Sequence, residues 1–107
     1  MQCVYVAGRY SASTVIEVLE NIRKGRRSAT ELLLKGFAVF APWLDSELFL
    51  QLREGETISL DTIQAHSMAW LAKADLVYVL KGWEGSRGTI AEIKRAEELG
   101  IRVEYQQ

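Results

Sequence analysis

Leu80-Lys81-Gly82-Trp83-Glu84-Gly85-Ser86-Arg87-Gly88-Thr89-Ile90-Ala91-Glu92 is the stretch on which the fold turns. It leaves the apolar run Leu76–Leu80, crosses a glycine-rich loop and opens the last helix. A strand, a Gly/Ser loop and a helix start, in that order, form a natural pocket for oxygen-rich ligands. The amides of a first helical turn have no partner inside the helix, and the macrodipole adds partial positive charge there. Two acids, a Trp and an Arg share this loop or its border. Any chemistry in the chain is expected here.

Working back to the start, Cys3–Ala7 is a short β-rich run stopped by Gly8, the pattern of a buried central strand. Thr14-Val15-Ile16-Glu17 has capping-box spacing and predicts a helix from Ser13 or Thr14 to Lys35, with Gly25 bending its middle and Gly36 ending it. Phe37–Ala41 reads as a second strand closed by Pro42. Asp45–Leu50 reads as a short helix and Arg53–Glu56 as a polar tip, the kind of insertion that walls a site. Ser59 caps the next helix, whose inner stripe is Leu60, Ile63, Trp70, Leu71 and Ala74. Asp75–Leu80 is the third strand, Thr89–Leu99 the last helix and Ile101–Tyr105 the fourth strand.

Strands separated by helices predict an α/β fold, a three-layer Rossmann-like or flavodoxin-like sandwich with a small, mainly parallel four-stranded sheet. Residues 1–107 read as one domain. Ligands in such sheets bind outside the carboxyl ends of the strands, at the switch in strand order. The loops on that edge are Gly8–Ser11, Pro42–Glu56 and Lys81–Gly88.

Composition narrows the partners. Apolar residues are 49% of the chain and charged residues 25%, as in a soluble globular protein. The formal net charge of −1 supplies no overall field to recruit nucleic acid. The basic run Arg23-Lys24-Gly25-Arg26-Arg27 reads as the solvated face of a helix, with an RNA or phosphate patch as the minority alternative. A single cysteine, Cys3, forms no internal disulfide and reads as a small buried hydrophobe in a reducing, cytoplasmic setting. One His and one Cys do not assemble a zinc site, so neither metal nor cofactor is expected. No stretch is long and apolar enough to suggest a membrane span or signal peptide.

Several segments together resemble the nucleoside 2-deoxyribosyltransferase superfamily, in its short bacterial and phage branch. The resemblance rests on Val4-Tyr5-Val6-Ala7-Gly8, Asn21, Ala29, Leu32, Gly36-Phe37 and Pro42. It continues through Trp70-Leu71, Ala74-Asp75, Gly82-Trp83-Glu84, Ser86-Arg87-Gly88, Glu92, Ala96 and Gly100. It implies that Glu92 is a nucleophile that attacks the anomeric carbon of a nucleoside or nucleotide, releases the base and holds the sugar as an ester. It also implies that Ser86 and Gly88 lie against the sugar or a 5′-phosphate, and that the protein works as a homo-oligomer. Ser67 stands where the characterised enzymes carry an Asp. Relatives also continue beyond the fourth strand, into groups that complete a neighbouring subunit's site.

Elementary chemistry agrees in outline. A carboxylate nucleophile splits one difficult displacement into two easier ones. Near a helix N-terminus Glu92 is expected to stay ionised. The competing local reading is a capping box over Thr89–Glu92, in which Glu92 folds back onto its own turn. Tyr10, Trp43 and Trp83 are candidates to stack on a base. Gly8, Arg9 and Arg87 complete the substrate-binding candidates, and Asp45 is the spare acid for protonating a leaving base. Glu84 and His66 read as solvated or boundary residues, and Trp70 as core.

Two functions follow from this reading. One is an N-glycosidase or deoxyribosyltransferase acting on a nucleoside or nucleotide. The other is a non-catalytic nucleotide-binding module that keeps the pocket. A purely structural domain with aromatic subunit contacts is a third.

Overall fold

Cys3–Ala7 (β1), Ala38–Phe40 (β2), Leu76–Val79 (β3) and Arg102–Tyr105 (β4) pair into one all-parallel sheet in the order β2-β1-β3-β4. The description comes from a computed structural model and covers residues 1–107. Val4 pairs with Val39 on one side and with Leu76 on the other, so β1 is central and buried on both faces. The reversal in strand order falls between β1 and β3, and the loops leaving these two strands meet there.

Alternation along β1 sorts its side chains between two cores. Val4 and Val6 join Ala29, Leu32, Trp43, Leu76 and Leu80 under the helix Val15–Leu34 (α1). Tyr5 and Ala7 join Leu71, Val77, Val79, Ile93 and Ala96 on the other face. That second face is covered by Leu60–Leu71 (α3) and Arg87–Glu98 (α4), while the short Ser46–Phe49 (α2) follows a 3-10 turn over Pro42–Asp45. Three layers result, with right-handed crossovers placing α1 opposite α3 and α4.

One helix cannot cover a four-stranded face, and α1 packs mainly on β2 and β1. The part of that face over β4 stays open, while Leu76 of β3 is buried under α1. The side chains of β4 fit that exposure: Arg102 and Glu104 are both exposed and ion-paired at 3.4 Å. β2, at the opposite edge, is only three residues long.

Element ends differ from the sequence reading by one or two residues, the ordinary fraying of boundaries. Four differences have physical causes. Gly25 does not bend α1, which runs unbroken from Val15 to Leu34. A Cβ on Gly25 would stand 2.2 Å from Trp43 Cδ2, so the glycine is the seat of the indole. Cys3 is exposed, because it occupies the frayed first position of β1, where its amide donates to Asp75 Oδ2 at 2.8 Å. Trp70 is 52% exposed and lies flat on Phe40 at 5.5 Å between centroids, so it is a cover for the core and not part of it. Of the predicted inner stripe of α3, Leu71 is fully buried and Leu60 is exposed.

Candidate active site

A cavity of about 800 Å³ opens at the carboxyl edge of the sheet, on the α3/α4 face. The β1–α1 loop contributes Gly8, Tyr10 and Ser11, the segment after β2 contributes Pro42, Asp45 and Phe49, and α3 contributes Leu60 to Met68 along one side. The first turns of α4 close it with Arg87, Gly88, Thr89, Ala91 and Glu92. Its size suits a drug-sized or nucleoside-sized molecule.

The α4 entrance is built by Ser86, whose hydroxyl accepts the Thr89 amide at 3.2 Å and the Thr89 hydroxyl at 2.9 Å. The helix therefore starts at Arg87, two residues earlier than the spacing predicts, and the capping box over Thr89–Glu92 does not form. Thr89 is buried and Ser86 is occupied as the cap. Gly88 offers its bare Cα to open space.

Starting the helix earlier puts Glu92 in the second turn, facing β1. There its carboxylate accepts a hydrogen bond from the Tyr5 phenol. The expectation that Glu92 stays readily ionised is corrected. Burial pushes its pKa up to about 7, and the Tyr5 hydrogen bond only partly opposes that. The macrodipole weakens beyond the first turn, so desolvation wins. The Tyr5 phenol is itself held well above its ordinary range, by burial first and by the Glu92 charge second, and Ser67 contributes a hydrogen bond that acts the other way. Burial thus favours the neutral phenol of Tyr5 as the proton donor in its bond to Glu92.

Asp45 is 7% exposed. Burial raises its pKa, and the nearby His66 offsets part of the rise. His66 leans on Phe40 with 6.0 Å between ring centroids, and its buried Nδ1 has no hydrogen-bond partner. No group of three or more His, Cys, Asp or Glu side chains converges to hold a metal ion.

Of the residues singled out from sequence, Gly8, Tyr10, Asp45, Arg87, Gly88 and Glu92 share this cavity. Four others stand elsewhere. Trp43 is 1% exposed, wedged against Gly25 and Gly8, and its indole N–H donates to the Arg9 carbonyl at 3.0 Å, so it cannot stack on a ligand. Trp83 packs on Tyr105 with centroids 5.5 Å apart, away from the cavity. Arg9 points to the α1 side of the sheet edge, where it lines a separate groove. Ser86 shapes the helix start from behind.

The sequence reading used Tyr5 only as part of a motif. A signal was nevertheless present: a Tyr in an otherwise aliphatic buried strand needs a partner for its hydroxyl, and β1 supplies none. Gln64 and Thr89 also line the cavity without having been singled out for it, and Ser67, marked in the sequence by the resemblance, lines it as well.

A parallel sheet with a switch point, one helix on one face and two on the other, and a cavity at the carboxyl edge define a Rossmann-like α/β protein. Residues 2–105 match the family described as a domain of unknown function, DUF4406, and the chain belongs to that family. No curated protein matches the chain. Among solved structures, it is similar to the 2-deoxyribosyltransferase of the psychrotolerant bacterium Bacillus psychrosaccharolyticus. The TM-score is 0.65 at 21% identity, over 96% of this chain and 70% of that one. The likeness is one of fold.

Proposed function

We propose that the protein cleaves the N-glycosidic bond of a nucleoside or nucleotide, by hydrolysis or by transfer of the sugar, with Glu92 as nucleophile. One observation carries the reading: a carboxylate held by a buried phenol on the wall of a nucleoside-sized cavity. The fold shared with a 2-deoxyribosyltransferase supports it.

In the first step a Glu92 oxygen forms a bond to the anomeric carbon as the carbon–nitrogen bond breaks, and the electron pair leaves with the base. Asp45, whose burial favours its protonated form, gives the base a proton. In the second step water or another base attacks the same carbon, the ester oxygen leaves as the Glu92 carboxylate, and Asp45 takes a proton back. Tyr5 holds the carboxylate in line and steadies its charge. Arg87 and Gly88, at the start of α4, line the cavity, where a 5′-hydroxyl or phosphate is the natural occupant. The same reading takes residues 1–107 as one cofactor-free unit that works as a cytoplasmic homo-oligomer.

A second reading, a nucleotide-binding module without turnover, is favoured by Ser67. A hydroxyl there neither carries charge nor shuttles a proton at neutral pH, and the raised Glu92 pKa leaves much of the nucleophile protonated. Chromatography of free bases after incubation with a panel of nucleosides and monophosphates, beside calorimetry on the same samples, separates the two. Base release that disappears in Glu92→Gln supports the enzyme. Binding without release, persisting after Ser67→Asp, supports the module, and neither binding nor release rejects both.

A further inference from the structure

A second concavity, about 560 Å³, lies on the other side of the sheet edge, between α1 and the segments that leave β3 and β4. The β1–α1 loop separates the two: Gly8 and Tyr10 face the Glu92 cavity, whereas Arg9 between them faces this groove. Five cationic side chains line it: Arg9, Arg23, Lys24, Arg27 and Lys81. Arg23 and Arg27 are paired along α1 with Glu20 and Glu31. Arg9, Lys24 and Lys81 have no carboxylate within ion-pairing distance.

Three unpaired cations drawn from three separate elements repel one another, and the one acid that lines the groove, Glu31, is already paired with Arg27. The placement is also built. Arg9 lies over the loop glycines, its Cδ 3.8 Å from the Cβ position of Gly82 and its guanidinium 3.8 Å from that of Gly85. Gly82, directly after Lys81, has φ +88°, a left-handed turn that favours glycine. The Lys81 amide is fixed by Gln106 Oε1 at 2.9 Å, leaving the Gln106 amino group as a further donor. Ser28, 7% exposed, lines the groove from α1.

We propose that this groove binds an oligophosphate chain, inorganic or carried by a nucleotide, at a site distinct from the Glu92 cavity. The charge count favours it: a carboxylate would answer one of the three free cations, whereas linked phosphates answer all of them and accept from the Ser28 hydroxyl and the Gln106 amino group. A nucleic-acid surface fits less well. The cations are gathered in one small concavity, and the chain as a whole carries a formal charge of −1.

The test is calorimetric titration of the full chain with inorganic triphosphate and, separately, with a nucleoside triphosphate. The expected result is one equivalent bound with a micromolar Kd, weakening steeply with salt. Lys24→Gln combined with Lys81→Gln is expected to weaken binding by about tenfold or more, with the unliganded melting midpoint unchanged. Glu92→Gln is expected to bind triphosphate as the parent does. Equal affinity for both ligands assigns recognition to the phosphate chain alone, and tighter nucleoside triphosphate adds a contact to the nucleoside; either supports the site. Absence of binding at millimolar triphosphate overturns it, as does undiminished binding by the double lysine variant. Loss of binding in Glu92→Gln would move the anion to the other cavity. Capture of an RNA oligonucleotide that triphosphate does not displace would replace the proposal with a nucleic-acid surface.

Discussion

The phenol of Tyr5 donates to the carboxylate of Glu92 across 87 positions of sequence, joining the central strand to the last helix at the wall of the cavity. Both groups are desolvated, and each shifts the other's proton affinity. Removing the phenol leaves Glu92 without the one contact that lowers its pKa. Tyr5→Phe is therefore expected to move the acidic limb of kcat/KM for base release to higher pH than in the parent. At neutral pH it should cost activity by roughly tenfold or more, and stability by about 1.5–3 kcal/mol for a charged hydrogen bond lost. Rate–pH profiles of the two proteins measure the displacement; coincident limbs would contradict it.

Glu92 also sets a pH dependence of stability. The folded chain keeps its proton up to about 7, whereas the unfolded chain releases it near the ordinary 4.5. The folded state thus binds more protons between these values, and stability from this group is full below the lower one. It falls as pH rises through the window, and the loss is complete above about 7. Glu92→Gln is expected to abolish base release and to flatten this slope, so that the variant gains on the parent as pH rises. Denaturant melts at pH 5 and pH 8 read the crossover directly. A slope unchanged by the substitution would show that the carboxylate is solvated.

Asp45 is buried beside His66, and burial raises its pKa. Asp45→Asn is expected to leave stability at neutral pH unchanged or slightly higher, because a poorly solvated charge is removed. Base release should fall by roughly a hundredfold with ordinary nucleosides, and much less with a substrate whose leaving base needs no proton. A uniform loss across both substrates would assign Asp45 to binding instead of proton transfer.

Gly25 and Trp43 test the packing. With the indole 2.2 Å from the position of a Gly25 Cβ, Gly25→Ala forces the ring from its seat, although alanine is the better helix former. The expected cost is about 1–3 kcal/mol or more, and chemical denaturation measures it. A gain in stability would mean that α1 shifts to accept the methyl group.

Much of this architecture was legible in local chemistry. Alternating apolar runs, the Thr14 and Ser59 caps and the terminal glycines specify the elements, and strands alternating with helices specify a parallel sheet. The loops of the carboxyl edge follow from that topology, which is why the sequence alone points to Gly8, Tyr10, Asp45, Arg87, Gly88 and Glu92, all of which line one cavity. The aromatic residues were less legible. Trp43 follows a proline in what reads as a loop, and only the missing side chain of Gly25, eighteen positions earlier on another element, explains why it is buried. The ionisation of Glu92 is hidden from the sequence for a related reason. Spacing counts the turns from a helix start, but the start itself depends on whether Ser86 or Thr89 does the capping.

The two borders of the sheet have a consequence for assembly. β2 is too short, and β4 too heavily charged at Arg102 and Glu104, for either to template a strand from another molecule. The edges thus work against extension of the sheet into a continuous ribbon, and the exposed Val15, Ile16 and Leu19 on α1 offer copies of this chain an apolar surface instead.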